Sequence, residues 1–200
     1  MALMTAANVR TGYIRTLTGT AEDSKIVALV SRFDALAAEW CGFPYPDSTT
    51  LPTFEAATYT LYPEPSLLDG RVLPLGFWPV ISVTSVHVDP DRDYGATDAV
   101  AASDYDTDTA RGELILRPDA TDTWSTALRA NRVIISGGYS AIPGAIAHAC
   151  GMQVAHWFKH PEAISATSSS AHGKSIQLNP YELLPAVREA LVPFQVTATP

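Results

Sequence analysis

The stretch TAEDSKIVALVSRFDALAAEWCG, residues 20–42, decides the architecture, because it carries the clearest periodicity in the chain. Ile26, Leu29, Val30, Phe33, Leu36, Ala37 and Trp40 recur at spacings of three and four, which places one apolar stripe along a helix. Thr20 followed by Asp23 predicts the start, with the hydroxyl capping free backbone N–H groups and the carboxylate at the positive end of the dipole. Gly42 predicts the end. Each large side chain buried along such a stripe is worth about 1.5–3 kcal/mol, so other elements must cover it.

Upstream, residues 5–16 have the content of a short helix carrying Val9, Tyr13 and Ile14. Downstream of Gly42 the period changes from helical to alternating. Phe54 to Tyr62 has strand composition, and Val80, Ile81, Val83, Val86 and Val88 alternate with Ser and Thr behind Trp78-Pro79. Gly112 to Leu116 and Arg132 to Ser136 read as two further strands, with Pro118 to Thr123 as a turn. Between Asp89 and Thr109 the apolar pattern lapses and a long loop is expected. Gly137-Gly138 closes the β region, and Pro143 opens a second long helix with Ile146, Cys150, Val154 and Trp157 on one face. Ser168 to Gly173 shows no period and is expected to be mobile, a last short helix covers 185–192, and Phe194 to Pro200 is expected to be extended.

The expected fold is therefore α+β, a helical bundle of two long and two short helices with an inserted antiparallel β-sheet. Its helices cover about 5–16, 20–41, 143–159 and 185–192, and the β insertion covers about 53–139. Residues 1–195 are expected to form a single domain, and residues 196–200 an extended C-terminal tail.

Composition bounds the function. The 200 residues are 46% apolar and 17% charged, enough for a packed core, and the formal charge of -8 with 13 Lys and Arg speaks against a free-standing nucleic-acid binder. Ten acidic residues and three arginines lie between Asp89 and Asp122, a net of -7, so nearly all the negative charge sits in one stretch. No run is long and apolar enough to span a bilayer, and no basic segment precedes an apolar block at the N-terminus. The chain is expected in the cytoplasm where it is made, or in a particle assembled there.

Four patterns invite a chemical reading. Asp89, Asp91 and Asp93 alternate like the start of a calcium loop, but Gly95 comes one position late and Val100 stands where a bidentate Glu belongs. Asp104, Asp106 and Asp108 repeat the alternation; both sets read as a solvated acidic loop. His156 and His160 share a helix face without the Glu of a zinc-protease motif. Gly138-Tyr139-Ser140-Ala141-Ile142 lacks the last glycine of a nucleophile elbow. Cys41 and Cys150 read as small buried apolar residues. Neither a catalytic constellation nor a metal or cofactor site is expected, and the chain is not expected to be an enzyme.

The order of the pieces resembles the head-to-tail connector, or adaptor, proteins of tailed bacteriophages and gene transfer agents. The resemblance lies in Glu39-Trp40-Cys41-Gly42-Phe43 closing the first long helix and in the proline-led strand Trp78-Pro79-Val80-Ile81-Ser82-Val83-Thr84-Ser85-Val86. It lies also in Val133-Ile134-Ile135-Ser136-Gly137-Gly138-Tyr139 followed by Pro143, and in Leu184-Pro185 and Val187 through Leu191, Pro193 and Phe194. The chain departs from the family where Phe194-Gln195 replaces a Tyr-Arg pair and where Asp89 to Thr109 is longer. The resemblance implies a structural virion protein at the neck. It would form a ring, a dodecamer in the family, beneath the portal protein, extending the DNA channel and giving the neck or tail protein a platform. Double-stranded DNA would pass without specific binding, and no membrane is involved. In the family the C-terminal segment docks into the portal, here Pro193, Phe194, Gln195, Val196, Thr197, Ala198 and Thr199. The acidic residues Asp89, Asp91, Asp93, Asp104, Asp106 and Asp108 would face either the channel or a partner. Two other readings are another neck or tail-completion protein, and a β-rich carbohydrate-binding module using Trp124, Tyr94 and Tyr105 on its surface.

Overall fold

The computed structural model describes residues 3–160, 168–171, 174–177 and 183–196. Along the chain the elements are α1 (Ala6–Tyr13), α2 (Asp23–Trp40), β1 (Ala57–Leu61), β2 (Val72–Pro74), β3 (Val80–Val88), β4 (Tyr105–Asp108), β5 (Glu113–Leu116), β6 (Asn131–Gly137), α3 (Gly144–Lys159), β7 (Ser168–Ala171), β8 (Lys174–Gln177) and α4 (Pro185–Leu191). Helices and small antiparallel sheets together make an α+β fold. They divide into two compact units: the described residues of Met1–Cys41 and Ile142–Gln195, and Gly42–Ala141 joined by Val196.

In the helical unit, α2 buries Ile26, Leu29, Val30, Phe33, Ala37 and Ala38, while Leu36 and Trp40 stay half-buried at the edge of the stripe. Its start differs from the expected cap. Glu22, not Thr20, is the N-cap and gives no side-chain bond. Thr20 instead accepts from the Asp23 N–H through its backbone carbonyl at 3.1 Å. Asp23 pairs with Arg10 of α1 at 3.2 Å, and the same guanidinium donates to the Gly19 carbonyl, so an ion pair between helices replaces the hydroxyl cap. Against α2 and α1 packs α3, which buries Ile146, Ala149, Cys150, Val154 and Trp157. Gly151 lets the Tyr13 ring lie against the α3 backbone, where a Cβ would meet ring carbons at 2.3 Å. The Gln153 side-chain oxygen accepts from the Leu184 N–H at 2.9 Å, which fixes the start of α4, and Pro185 opens that helix.

Ser168 to Ala171 is a strand, paired antiparallel with β8, and so departs from the mobile loop that its lack of period predicts. Three serines and an alanine paired through their backbone carry no apolar alternation, which is why the period is silent. His172 and Gly173 lie outside the described residues.

The β unit holds two three-stranded antiparallel sheets, ordered β1-β6-β3 and β2-β5-β4. Strand β6 is central to the first and strictly alternating, with Asn131, Val133, Ile135 and Gly137 on its buried face. Tyr59 and Val83 stand opposite Ile135 from the two sides, and Val86 stands opposite Val133. Leu73, Tyr105, Leu114 and Leu116 fill the second sheet's buried face. The excursion expected from Asp89 to Thr109 is in fact ordered in three places. His87 bridges to Ala99, a 3-10 turn covers Ala96–Asp98, and β4 lies at the sheet's edge. In the sequence YDTD of β4 only Tyr105 is apolar, so one buried ring carries a strand that the hydropathy pattern hides.

Phe43, Phe54, Tyr59 and Phe77 form the aromatic heart of this unit, with Phe43 edge-on to Phe54 at 5.1 Å and to Phe77 at 5.4 Å. Glycine is required around them. Gly137 leaves room for the Phe77 ring, which a Cβ would strike at 2.1 Å, and at Gly138, φ +96°, a Cβ would lie 2.5 Å from the Glu55 carbonyl oxygen. Gly138→Ala adds left-handed strain and a backbone collision, and is expected to cost about 2–4 kcal/mol in urea unfolding. Gly12→Ala in α1, where a Cβ meets nothing within 4 Å, is expected to be neutral or to stabilise by about 0.5–1 kcal/mol.

Candidate functional site

The acidic residues of the β unit do not form one feature. Asp89, at the end of β3, is buried and its carboxylate accepts from the N–H groups of Asp91 at 2.8 Å and Tyr94 at 2.7 Å. These bonds, that from Tyr94 foremost, hold its carboxyl below the usual carboxylate range in spite of burial. The turn they close sets Arg92 and Tyr94 at φ 69° and 51°, a left-handed conformation uncommon outside glycine. Asp91 and Asp93 project from this turn and are exposed. Asp98, which the alternation does not single out, accepts from the Gly95 N–H at 2.9 Å.

The second group lies along the β4–β5 hairpin. Asp104 accepts from the Ser103 hydroxyl at 2.9 Å, and its carbonyl accepts from the Arg117 N–H. One oxygen of Asp106 takes both Nη2 and Nε of Arg117, at 2.7 and 3.1 Å; this lowers the carboxyl pKa and raises that of the guanidinium. Asp108 accepts from the N–H groups of Ala110 and Arg111, each at 3.0 Å, and so closes the hairpin turn. Turn-building and two ion pairs, Asp106–Arg117 and the longer Asp108–Arg111 at 3.9 Å, account for most of these carboxylates. Among the described residues no three His, Cys, Asp or Glu side chains converge as a metal site would need.

The C-terminal segment is only partly extended. Val192–Phe194 forms a 3-10 turn closed by the Gln195 N–H on the Val192 carbonyl at 3.2 Å. Pro193, with its fixed φ, suits such a turn and corrects the expectation that Phe194 begins the extended tail. Gln195 is extended, and the Val196 carbonyl lies against Gly42, at φ +82°, where a Cβ would meet it at 3.1 Å. Thr197, Ala198 and Thr199 lie outside the described residues.

The aromatic surface proposed for carbohydrate is not present. Trp124 and Tyr105 are 5% and 8% exposed, and the indole N–H donates to the Arg71 carbonyl at 2.8 Å. A large ring with one donor is best satisfied inside, and here it is. His156 and His160 do share a helix edge, with rings 5.1 Å apart; burial, and then the neighbouring imidazole, lowers the pKa of His156. Burial pushes both the Cys41 and Cys150 thiols up to about 12, which leaves them unreactive.

Sequence reasoning misses a ladder assembled from three loops and the start of β6. The Arg129 guanidinium lies 4.2 Å from the Tyr62 ring, Tyr62 lies 6.1 Å from Tyr94, and the Arg132 guanidinium lies 4.3 Å from Tyr94. The Tyr94 hydroxyl donates to the Arg129 carbonyl at 2.6 Å, and Arg129 is itself left-handed at φ 60°. No spacing links positions 62, 94, 129 and 132, so no motif could have announced them. A second surface feature is local and legible: Leu67 and Leu68 are both fully exposed in the turn before β2.

No protein-family model matches the sequence, and no curated protein matches it. Solved structures do share the fold. A chain in the neck of an empty gene transfer agent particle, computed with C6 symmetry, matches with a TM-score of 0.55 at 18% identity, over 94% of this chain and 89% of that one. A chain in the virion of a native gene transfer agent particle matches with the same score and identity, over 94% and 88%.

Because the Asp89 carboxyl titrates below its unfolded value, its contribution to stability is complete at neutral pH. That contribution is lost as pH falls from the unfolded value near 3.9 through the folded one. Asp89→Asn is therefore expected to lower the urea midpoint at pH 7 and to shrink the difference between pH 7 and pH 3. An unchanged difference would show that the buried carboxylate does not govern acid stability.

Proposed function

We propose that the chain is a structural, non-catalytic protein of a virion neck, a head-tail connector that assembles as a ring. One observation carries this reading: the fold of a neck chain from a gene transfer agent particle is shared across 94% of the sequence, both units included. The motifs quoted above point the same way from sequence. In this reading the ring sits beneath the portal, extends the channel for double-stranded DNA and presents a platform to the next neck or tail protein. The helical unit, the inserted β unit and the segment after Gln195 then act as one connector domain with a docking tail.

The tail is the candidate for portal docking. Gln195 already leaves the 3-10 turn extended, and an extended segment can add a strand to a partner's free sheet edge. Phe194 and Pro193 belong to the turn that aims it. Facing the channel, the acidic stretch would let DNA slide, because it offers no counterion-releasing contacts. We assign it outward, toward solvent or a basic tail partner, since Asp91, Asp93 and Asp106 are exposed while Asp89 and Asp108 build turns. A different neck or tail-completion protein would share these features and differ in its partner, the tail tube instead of the portal.

Electron microscopy of the full chain mixed with its portal tests the proposal. Coaxially stacked rings are expected; absence of association at high concentration, or association with the tail tube alone, would overturn it. Truncation after Phe194 is expected to abolish portal attachment while leaving the thermal midpoint within a few degrees of wild type. Intact attachment of that variant would remove the docking role of the tail.

A further inference from the structure

The β unit carries two rigid, oppositely charged, leucine-bearing turns. The first presents Leu67 and Leu68. It is ordered by its own bonds: Ser66 N–H to the Val72 carbonyl at 2.8 Å, Val72 N–H to the Asp69 carbonyl at 2.9 Å, and Arg71 N–H to the Asp69 carboxylate at 3.0 Å. Beside the two leucines runs a groove of about 660 Å³, whose lining includes Glu64, Val72, Pro74 and Glu113. Neither Glu64 nor Glu113 has an ion-pair partner among the described residues. The nearby cation, Arg71, is turned to the Leu116 carbonyl.

The second turn presents Leu128, 70% exposed, next to Arg129. It too is held: the Asn131 side chain accepts from the Ser125 N–H at 3.0 Å and donates to the Ser125 carbonyl at 2.7 Å, and Tyr94 grips the Arg129 carbonyl. Arg129 and Arg132 form no ion pair among the described residues, although the chain has 21 carboxylates. Tyrosine rings take the flat faces of their guanidiniums. A guanidinium stacked in this way keeps in-plane N–H groups for a carboxylate, and Arg129 is exposed.

The geometry points to a contact between two copies of this chain: the Leu67–Leu68 turn with Glu64 and Glu113 on one copy seats against Leu128, Arg129 and the Tyr62–Tyr94 ladder on the next. The occupant is a second copy because the chain holds both halves of the charge complement, Glu64 and Glu113 without an ion pair at the first turn and the exposed Arg129 without one at the second, while Arg132 is turned to His87 at 3.4 Å. Exposed apolar side chains on ordered turns lose little entropy on association, which suits a repeated contact. Two different surfaces meeting head to tail generate a ring when the rotation closes. The inference rests on the ring reading above and names the lateral surface within it.

Cysteine cross-linking tests the contact. Leu67→Cys and Leu128→Cys are made in separate full-length chains, and the native thiols, both buried, stay silent. A short bis-maleimide is expected to give a covalent dimer from the mixture and little from either chain alone. Adding Glu64→Lys to the first chain is expected to cut the dimer yield about tenfold, since it sets like charges face to face. Adding Arg129→Glu to the second chain is then expected to restore it, which a merely misfolded variant would not do. No dimer from the mixture, equal dimer from one chain alone, or no rescue by the charge exchange overturns the contact. Portal association without the cross-link would leave the neck reading standing and remove this surface; a charge-dependent cross-link without portal association would do the reverse.

Discussion

Packing of the Phe77 ring against Gly137 is the constraint on which the β unit depends. A side chain at position 137 would lie 2.1 Å from the ring, so the central strand β6 must end in glycine for the aromatic group of Phe43, Phe54, Tyr59 and Phe77 to close. The same strand pairs on both sides, with β1 and with β3. Its alternation therefore decides which face of all three strands is buried, since a slip of one residue would invert every side chain. Gly138 follows at φ +96°, and the backbone pairs its neighbours back to Phe54 and Pro79: Tyr139 N–H bonds the Phe54 carbonyl, and Gly138 N–H bonds the Pro79 carbonyl. One ring, two glycines and a central strand thus organise the sheet that the sequence announces most clearly.

What the sequence made legible follows from how each element earns its burial. Helix α2 could be read because seven apolar positions repeat at helical spacing, β3 because Val recurs among Ser and Thr, and β6 because Val133, Ile134 and Ile135 form a β-branched run ahead of Gly137. Strands β2 and β4 escape such reading. Each is short, three or four residues, and each is held by one deeply buried side chain, Leu73 or Tyr105, while its neighbours are polar or at an edge. The cap of α2 escapes local pattern for a different reason. Thr20 and Asp23 satisfy the local rule, but Arg10, thirteen residues before Asp23, supplies a long-range partner that local pattern cannot contain.

The site was less legible than the fold. Alternating aspartates suggest a shared purpose, yet their oxygens are divided among separate turns, and the stretch is a set of local braces with a few exposed charges. Trp124 and Tyr105 look like recognition residues in a list and are core residues in the structure. Conversely, the Arg129–Tyr62–Tyr94–Arg132 ladder draws on three loops and strand β6, and only the tertiary fold brings them together. Residue type suggests chemistry; partner geometry decides it.

The two cysteines give the helical unit a property that its packing alone would not announce. With both thiols buried and pushed up to about 12, little thiolate is present at neutral pH, and thiolate is the form that exchanges with small thiols or attacks to form a disulfide. The covalent structure is consequently the same in a reducing cell interior and in oxidising surroundings outside it.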